Sequence, residues 1–174
     1  LKSGGATPVL SSLLLGYADL YHLRGNFSES LRYCERVLSW EKTIQNTDLE
    51  NRLYLLLAEN HFRLDNKEIA IKYCQKGLEL LESKRDIATM ALTLLYLGKF
   101  YKYKGKFQKA LKQFQLCASV NQKISAADRQ ADCLREMGAI HLFLENPEEA
   151  QGQLSGALGL YEKTENVAGL IETL

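Results

Sequence analysis

The residues with the most capacity for chemistry are three histidines, four cysteines and one lysine-rich stretch. His22, His61 and His141 could hold a metal or move a proton, but no carboxylate or cysteine stands at metal-ligand spacing from them. His61 and His141 share a recurring position with Tyr21 and Tyr101, which predicts stacked, hydrogen-bonded core side chains. Cys34, Cys74, Cys117 and Cys133 form no CxxC, and each falls where a small or apolar residue recurs. That pattern predicts reduced, packed thiols and a cytoplasmic or nuclear setting. There is no phosphate-binding glycine loop, no dinucleotide fingerprint after a strand, and no local pattern for a serine nucleophile with a positioned histidine. No catalytic, metal or cofactor site is expected, and the chain reads as a non-enzyme.

Between residues 96 and 123 lie Lys99, Lys102, Lys104, Lys106, Lys109, Lys112 and Lys123 with no acid among them. Tyr101, Tyr103 and Phe107 are interspersed. Such a run can dock an acidic protein or a nucleic acid. It can equally be a solvated face, and helical spacing scatters these lysines over several directions. The net charge of +1 argues against a dedicated nucleic-acid binder.

The elements that position these residues repeat every forty positions. A large apolar residue recurs at Leu14, Tyr54, Leu94 and Leu134, and another at Tyr17, Leu57, Leu97 and Met137. Small residues follow at Ala18, Ala58, Gly98 and Gly138, then Tyr21, His61, Tyr101 and His141. Steps of three and four place these on one helical face, and the small residue is expected to let two helix backbones approach. A turn follows in each unit: RGNF, LDNK, KGKF, LENP. Asn26, Asn66 and Asn146 are expected to cap a second helix; Glu29 and Glu149 complete capping boxes, and Pro147 takes a first helical position. Lys106 stands there in the third unit, leaving that helix without a side-chain cap. The second helix carries Ser30, Ala70, Ala110 and Ala150, then Cys34, Cys74, Phe114 and Leu154. Polar loops at 42–47, 83–85, 122–125 and 163–166 separate the units, and Asp48 and Asp86 are expected to cap the helices that follow.

The expected architecture is therefore all-α. A flexible lead-in at 1–6 precedes a helix that Thr7 and Pro8 start. One array over 7–174 follows, with units near 7–46, 47–85, 86–125 and 126–165. The stretch 166–174 is a partial fifth unit or a capping helix. Leu1 and Leu174 give the chain the look of an excised fragment. No apolar run approaches the roughly 20 residues that span a bilayer, so no membrane partner is expected.

Leu97-Gly98, Tyr101, Ala110 and Phe114 resemble the tetratricopeptide repeat, whose signature places leucine-glycine, tyrosine, alanine and phenylalanine in this order. The likeness covers nearly the whole chain. The family's tryptophan position holds leucine or tyrosine, its late proline is missing, and the period exceeds the usual ~34 residues. This longer form is similar to the arrays of kinesin light chain and of spindle-orientation and receptor-clustering adaptors. The resemblance implies a right-handed α-solenoid whose first helices line a concave groove that grips an extended peptide or a helix of a protein partner.

Under that reading the groove presents Arg52, Phe62, Arg63, Tyr96, Lys99, Lys102, Tyr103 and Arg135. An acidic partner segment with an apolar anchor would suit such cations and rings. Family members that hold chaperone tails use a two-carboxylate clamp of basic and amide residues. Its first four places here carry Leu15, Asp19, Leu56 and Leu92 or, one unit on, Leu55, Glu59, Tyr96 and Asp132, with Glu136 at the fifth, so no chaperone-tail binding is expected. The other reading is a structural solenoid segment of a larger assembly, or a regulatory arm, without its own peptide groove. Leu170, Ile171 and Leu174 favour continuation of the array, or self-association through an open end.

Overall fold

The computed structural model describes residues 8–40, 46–84 and 86–174. The lead-in, the Thr7 cap and loop residues 42–45 lie outside them. Helices fill the described residues, with no strand among them: α1 (Pro8–Leu23), α2 (Phe27–Leu38), α3 (Thr47–Arg63), α4 (Lys67–Lys84), α5 (Ile87–Tyr103), α6 (Phe107–Lys123), α7 (Ala127–Phe143), α8 (Pro147–Lys163) and α9 (Val167–Thr173). The fold class is all-α, made of helix-turn-helix repeats as in an α-solenoid. Two compact units divide at the Arg85–Asp86 junction. The first holds α1 to α4, the second α5 to α9.

Each hairpin turns on a residue with left-handed backbone: Gly25 (φ 75°), Asp65 (φ 65°), Gly105 (φ 68°) and Glu145 (φ 58°). The amide that follows donates back to the residue at the repeating aromatic position: Asn26 to Tyr21, Asn66 to His61, Lys106 to Tyr101 and Asn146 to His141. This six-to-one bond closes the first helix of each hairpin.

Helix starts differ from expectation at two places. The Asn26 side chain accepts from the Glu29 amide at 3.2 Å, and Asp86 accepts from the Thr89 amide at 3.1 Å, as the sequence suggested. Asp48, however, lies inside the first turn of α3; Asn46 is the cap and accepts from the Asp48 and Leu49 amides. Asn146 makes no side-chain cap bond. Pro147 removes one amide that would need a partner and fixes the entry dihedral, so the helix starts without the side chain. Asn166 caps α9 through the Gly169 amide at 3.0 Å.

In the first unit the core joins Leu14, Leu15, Ala18, Leu31, Cys34, Val37, Leu53 and Leu57. Tyr33 stacks on Tyr17 and Tyr21, and Tyr73 on His61 with ring centres 5.6 Å apart. His61 is thus stacked as expected, but its buried Nδ1 has no hydrogen-bond partner, and the same is true of His141. In the second unit Phe100, Phe114, Ile140 and Tyr161 are the large sealed side chains. What Gly98 admits there is a ring, not a backbone: an added Cβ would lie 2.5 Å from Phe114 Cε1. Gly138 makes the same room for Leu154, where a Cβ would lie 2.6 Å from Cγ.

Candidate interaction surface on the first helices

Within each compact unit, side chains that leave the core stripe of one first helix meet those of the next. In the first unit, Arg52 of α3 forms an ion pair with Asp19 of α1. Beside it, His22 Nδ1 donates to Asn60 Oδ1 at 2.8 Å, while Nε2 faces Glu59 at 3.2 Å. Asn60 Nδ2 donates to Ser30 Oγ at 2.7 Å, and Ser30 donates to the Ala18 carbonyl at 2.7 Å. Ser30 and Asn60 are fully buried, so this chain ties α1, α2 and α3 through groups that would be costly to leave unpaired. Asp19, His22, Arg52, Leu56 and Glu59 border a cleft of about 360 Å³. Arg63 lies over the Phe27 ring, 6.0 Å from its centre. Phe62 is half-buried.

The second unit uses ion pairs as well. Lys99 and Lys102 of α5 converge on Glu136 of α7, Lys102 by a short hydrogen bond and Lys99 at 3.8 Å. Glu136 is nearly buried while both lysines are about one-third exposed. Two ammonium groups share one carboxylate. Arg135 turns to other acids, Glu172 at 3.1 Å and Asp132 at 4.0 Å. The Tyr161 hydroxyl donates to Asp132 at 2.6 Å, and burial followed by that bond pushes its pKa upward. Tyr96 is half-buried, its ring centre 6.1 Å from that of Phe100. Tyr103 is 65% exposed, as is Phe143 at 70%, whose ring packs 4.8 Å from Phe107. Lys109 lies over the Tyr101 ring, so part of the lysine run covers aromatic surface.

Lys99, Lys102 and Tyr103 thus share the end of α5, with Glu136 joining the first two. Arg135 belongs to a neighbouring ion-pair set, and Arg52, Phe62 and Arg63 belong to the first unit. Sequence reading named several of these acids without pairing them with the cations, and it missed the Ser30–Asn60–His22 chain. A signal existed: Lys102 and Glu136 are 34 residues apart, one repeat less about two helical turns, and the Asp19–Arg52 spacing is similar. Among the described residues no helix is long and apolar enough to cross a membrane.

Two sequence profiles match the chain, both described as tetratricopeptide repeat, over residues 89–163 and 52–81. The protein Kinesin light chain-related 1 of Arabidopsis thaliana is 28% identical over 134 residues, covering 75% of this chain and 22% of that protein. Tetratricopeptide repeat protein 29 of Trypanosoma brucei brucei is 26% identical over 110 residues, 63% of this chain and 23% of its own length. The chain spans less than a quarter of both curated relatives. A signal transduction ATPase with numerous domains and a tetratricopeptide repeat sensor, from Pyrococcus horikoshii, superimposes with a TM-score of 0.87 at 17% identity. That match covers 98% of this chain and 27% of that one, and at such identity the likeness concerns the fold alone.

Proposed function

Since the chain belongs to the tetratricopeptide repeat family, we propose that it acts as a protein-interaction scaffold whose first-helix face receives a peptide or helix of a partner protein. The observation that carries this reading is the shared carboxylate: Lys99 and Lys102 both turn to Glu136 and stay about one-third exposed. An acidic side chain of the partner pairs with these lysines, and the exposed Tyr103 ring one residue on takes an apolar anchor. Chaperone tails are not the partner, because Asp132 and Glu136 stand where a carboxylate clamp needs basic or amide groups. We place the protein in the cytoplasm or nucleus, since its four cysteines are free thiols in the fold.

Selection from a phage-displayed peptide library tests the reading. Peptides pairing Asp or Glu with a nearby aromatic or aliphatic residue should enrich on the wild-type chain. They should be lost, with thermal stability retained, on Lys99→Gln/Lys102→Gln/Tyr103→Ala. Glutamine is chosen because a charge reversal beside Glu136 would destabilise α7 on its own. Enrichment that is equal on both proteins contradicts the site.

A second reading, association through the α1 face, has its own observation. Leu13 and Leu20 are 55% and 52% exposed, whereas Leu53 and Asn60 at the same positions of α3, and Cys133 and Ile140 of α7, are sealed. A groove of about 810 Å³ runs along Val9, Leu13, Gly16, Tyr17 and Leu20. If this face binds another helix, sedimentation should show a concentration-dependent size that Leu13→Ser/Leu20→Ser abolishes. A constant monomer mass removes self-association through this face.

A further inference from the structure

We infer that Cys117 and Cys133 are an oxidisable dithiol that closes into a disulfide between α6 and α7. Their sulfurs lie 2.7 Å apart, on facing helices, with both side chains fully buried. A disulfide needs about 2.05 Å, so closure asks for a sub-ångström movement of two side chains. The juxtaposition is not a packing requirement of the repeat. At the equivalent place in the first unit, Val37 and Leu53 fill the seam between α2 and α3 with plain aliphatic volume. Sulfur at both positions adds chemistry that the packing does not demand.

The surroundings of the pair are polar. Asn121, fully buried, donates through Nδ2 to Cys117 Sγ at 3.3 Å and to the Cys117 carbonyl at 3.0 Å. Leu81 stands at that position in α4. Cys117 Sγ also lies 3.2 Å from the Ala91 carbonyl. Cys117 Sγ thus accepts from Asn121 and from the Cys133 thiol while its own thiol donates to the Ala91 carbonyl. The Cys133 thiol is held protonated, its pKa raised by the bond to Cys117 and by burial. Cys34 sits beside Ser30, not beside a second sulfur, and burial pushes its thiol up to about 12.

With hydrogen peroxide as oxidant the step balances. When the seam opens, Cys117 gives its proton to solvent and its sulfur attacks one peroxide oxygen; the O–O bond breaks, and hydroxide leaves and takes up a proton as the first water, giving a sulfenic acid. Cys133 sulfur attacks that sulfur, the S–O bond breaks, and the thiol proton leaves with the hydroxyl as water. Two thiols and one peroxide give one disulfide and two waters, with two electrons passing from sulfur to oxygen. Burial makes the reaction depend on transient opening of the α6–α7 seam, so it is slow beside that of an exposed thiol. Cys133 precedes Glu136 by one turn of α7, so the bond would tie α6 to the helix that carries the acid shared by Lys99 and Lys102.

The experiment treats the folded chain with hydrogen peroxide, blocks remaining thiols, and maps it by mass spectrometry without reductant. The expected result is a loss of about 2 Da and a crosslinked peptide joining Cys117 to Cys133, with Cys34 and Cys74 alkylated. Dithiothreitol should reverse both, and the oxidised form should unfold at a higher temperature than the reduced one. Cys133→Val, which places an aliphatic residue at the position that Leu53 holds in α3, should keep the fold and abolish the 2 Da loss. The same oxidant acting on urea-unfolded chain serves as the positive control for crosslinking. Three results overturn the inference: no crosslink in folded protein when the unfolded control forms one, a crosslink through Cys34 or Cys74, or gains of about 16 or 32 Da on Cys117 or Cys133 without any bond.

Discussion

The two compact units build the same hairpin and hold it with different chemistry. In the first, Ala18 and Ala58 pair in the sequence pattern with Cys34 and Cys74, all fully buried. In the second, Gly98 faces Phe114 and Gly138 faces Leu154. One methyl group lost on the first helix is exchanged for a ring or a branched chain on the second. The seam between successive first helices follows the same logic. The first unit spans it with a hydrogen-bonded relay from Glu59 through His22 and Asn60 to Ser30, together with the Arg52–Asp19 pair. The second spans it with lysines and arginine on carboxylates. The repeat fixes backbone and volume and leaves the polar chemistry of each column free, and that freedom is where partner recognition can be encoded.

The size exchange should give the largest effects. Phe114→Ala is expected to cost about 3–5 kcal/mol in urea unfolding. Gly98→Ala should cost about 1–3 kcal/mol, because the ring must give way to the new methyl. The pair Gly98→Ala/Phe114→Cys, which imports the first unit's solution, should cost less than the two single changes summed. Strict additivity would break the comparison. In the first unit, Ser30→Ala strands Asn60 Nδ2 and should cost about 1–3 kcal/mol. Adding Asn60→Leu, an aliphatic change at the position Ile140 holds in α7, should return part of that loss, which calorimetry can follow.

Smaller effects separate charge from packing. Glu136→Gln should cost no more than about 1 kcal/mol, since Lys99 and Lys102 are partly solvated, and the difference should shrink in high salt. For Asp86, hydrogen bonds from Thr89 hold the carboxyl below its usual range. A depressed folded pKa means the stabilisation is present above the unfolded value near ~3.9 and is lost as pH falls through the folded one. Asp86→Ala should therefore cost about 1 kcal/mol at neutral pH and close to nothing in acid, as acid–urea titrations would show. Glu145→Gly, at a left-handed turn position that Gly25 and Gly105 fill elsewhere, should add about 0.5–1 kcal/mol.

Helix positions, hairpin turns and the alternation of small and large residues were readable because each is written four times along the chain, in register. Caps were readable only where one residue type could serve: Asn46 and Asp48 are both good caps, and sequence alone does not show which has the extended backbone. The ion pairs of the first helices were half readable. Lys99, Lys102 and Arg135 stood out as cations on first helices, but their acids arrive from the next first helix, and His22 finds Asn60 across 38 residues. Such pairings depend on side-chain direction at a crossing, which periodicity does not specify.

The claim that the first-helix face of the second unit receives an acidic segment is tested most directly by fluorescence anisotropy with a selected acidic–aromatic peptide. The chain should bind it with an affinity that falls as salt rises and drops at least tenfold in Lys99→Gln/Lys102→Gln, about 1.4 kcal/mol or more. Arg52→Gln, in the other unit, should leave that affinity unchanged. Equal affinity for wild type and the double-lysine variant would contradict the account.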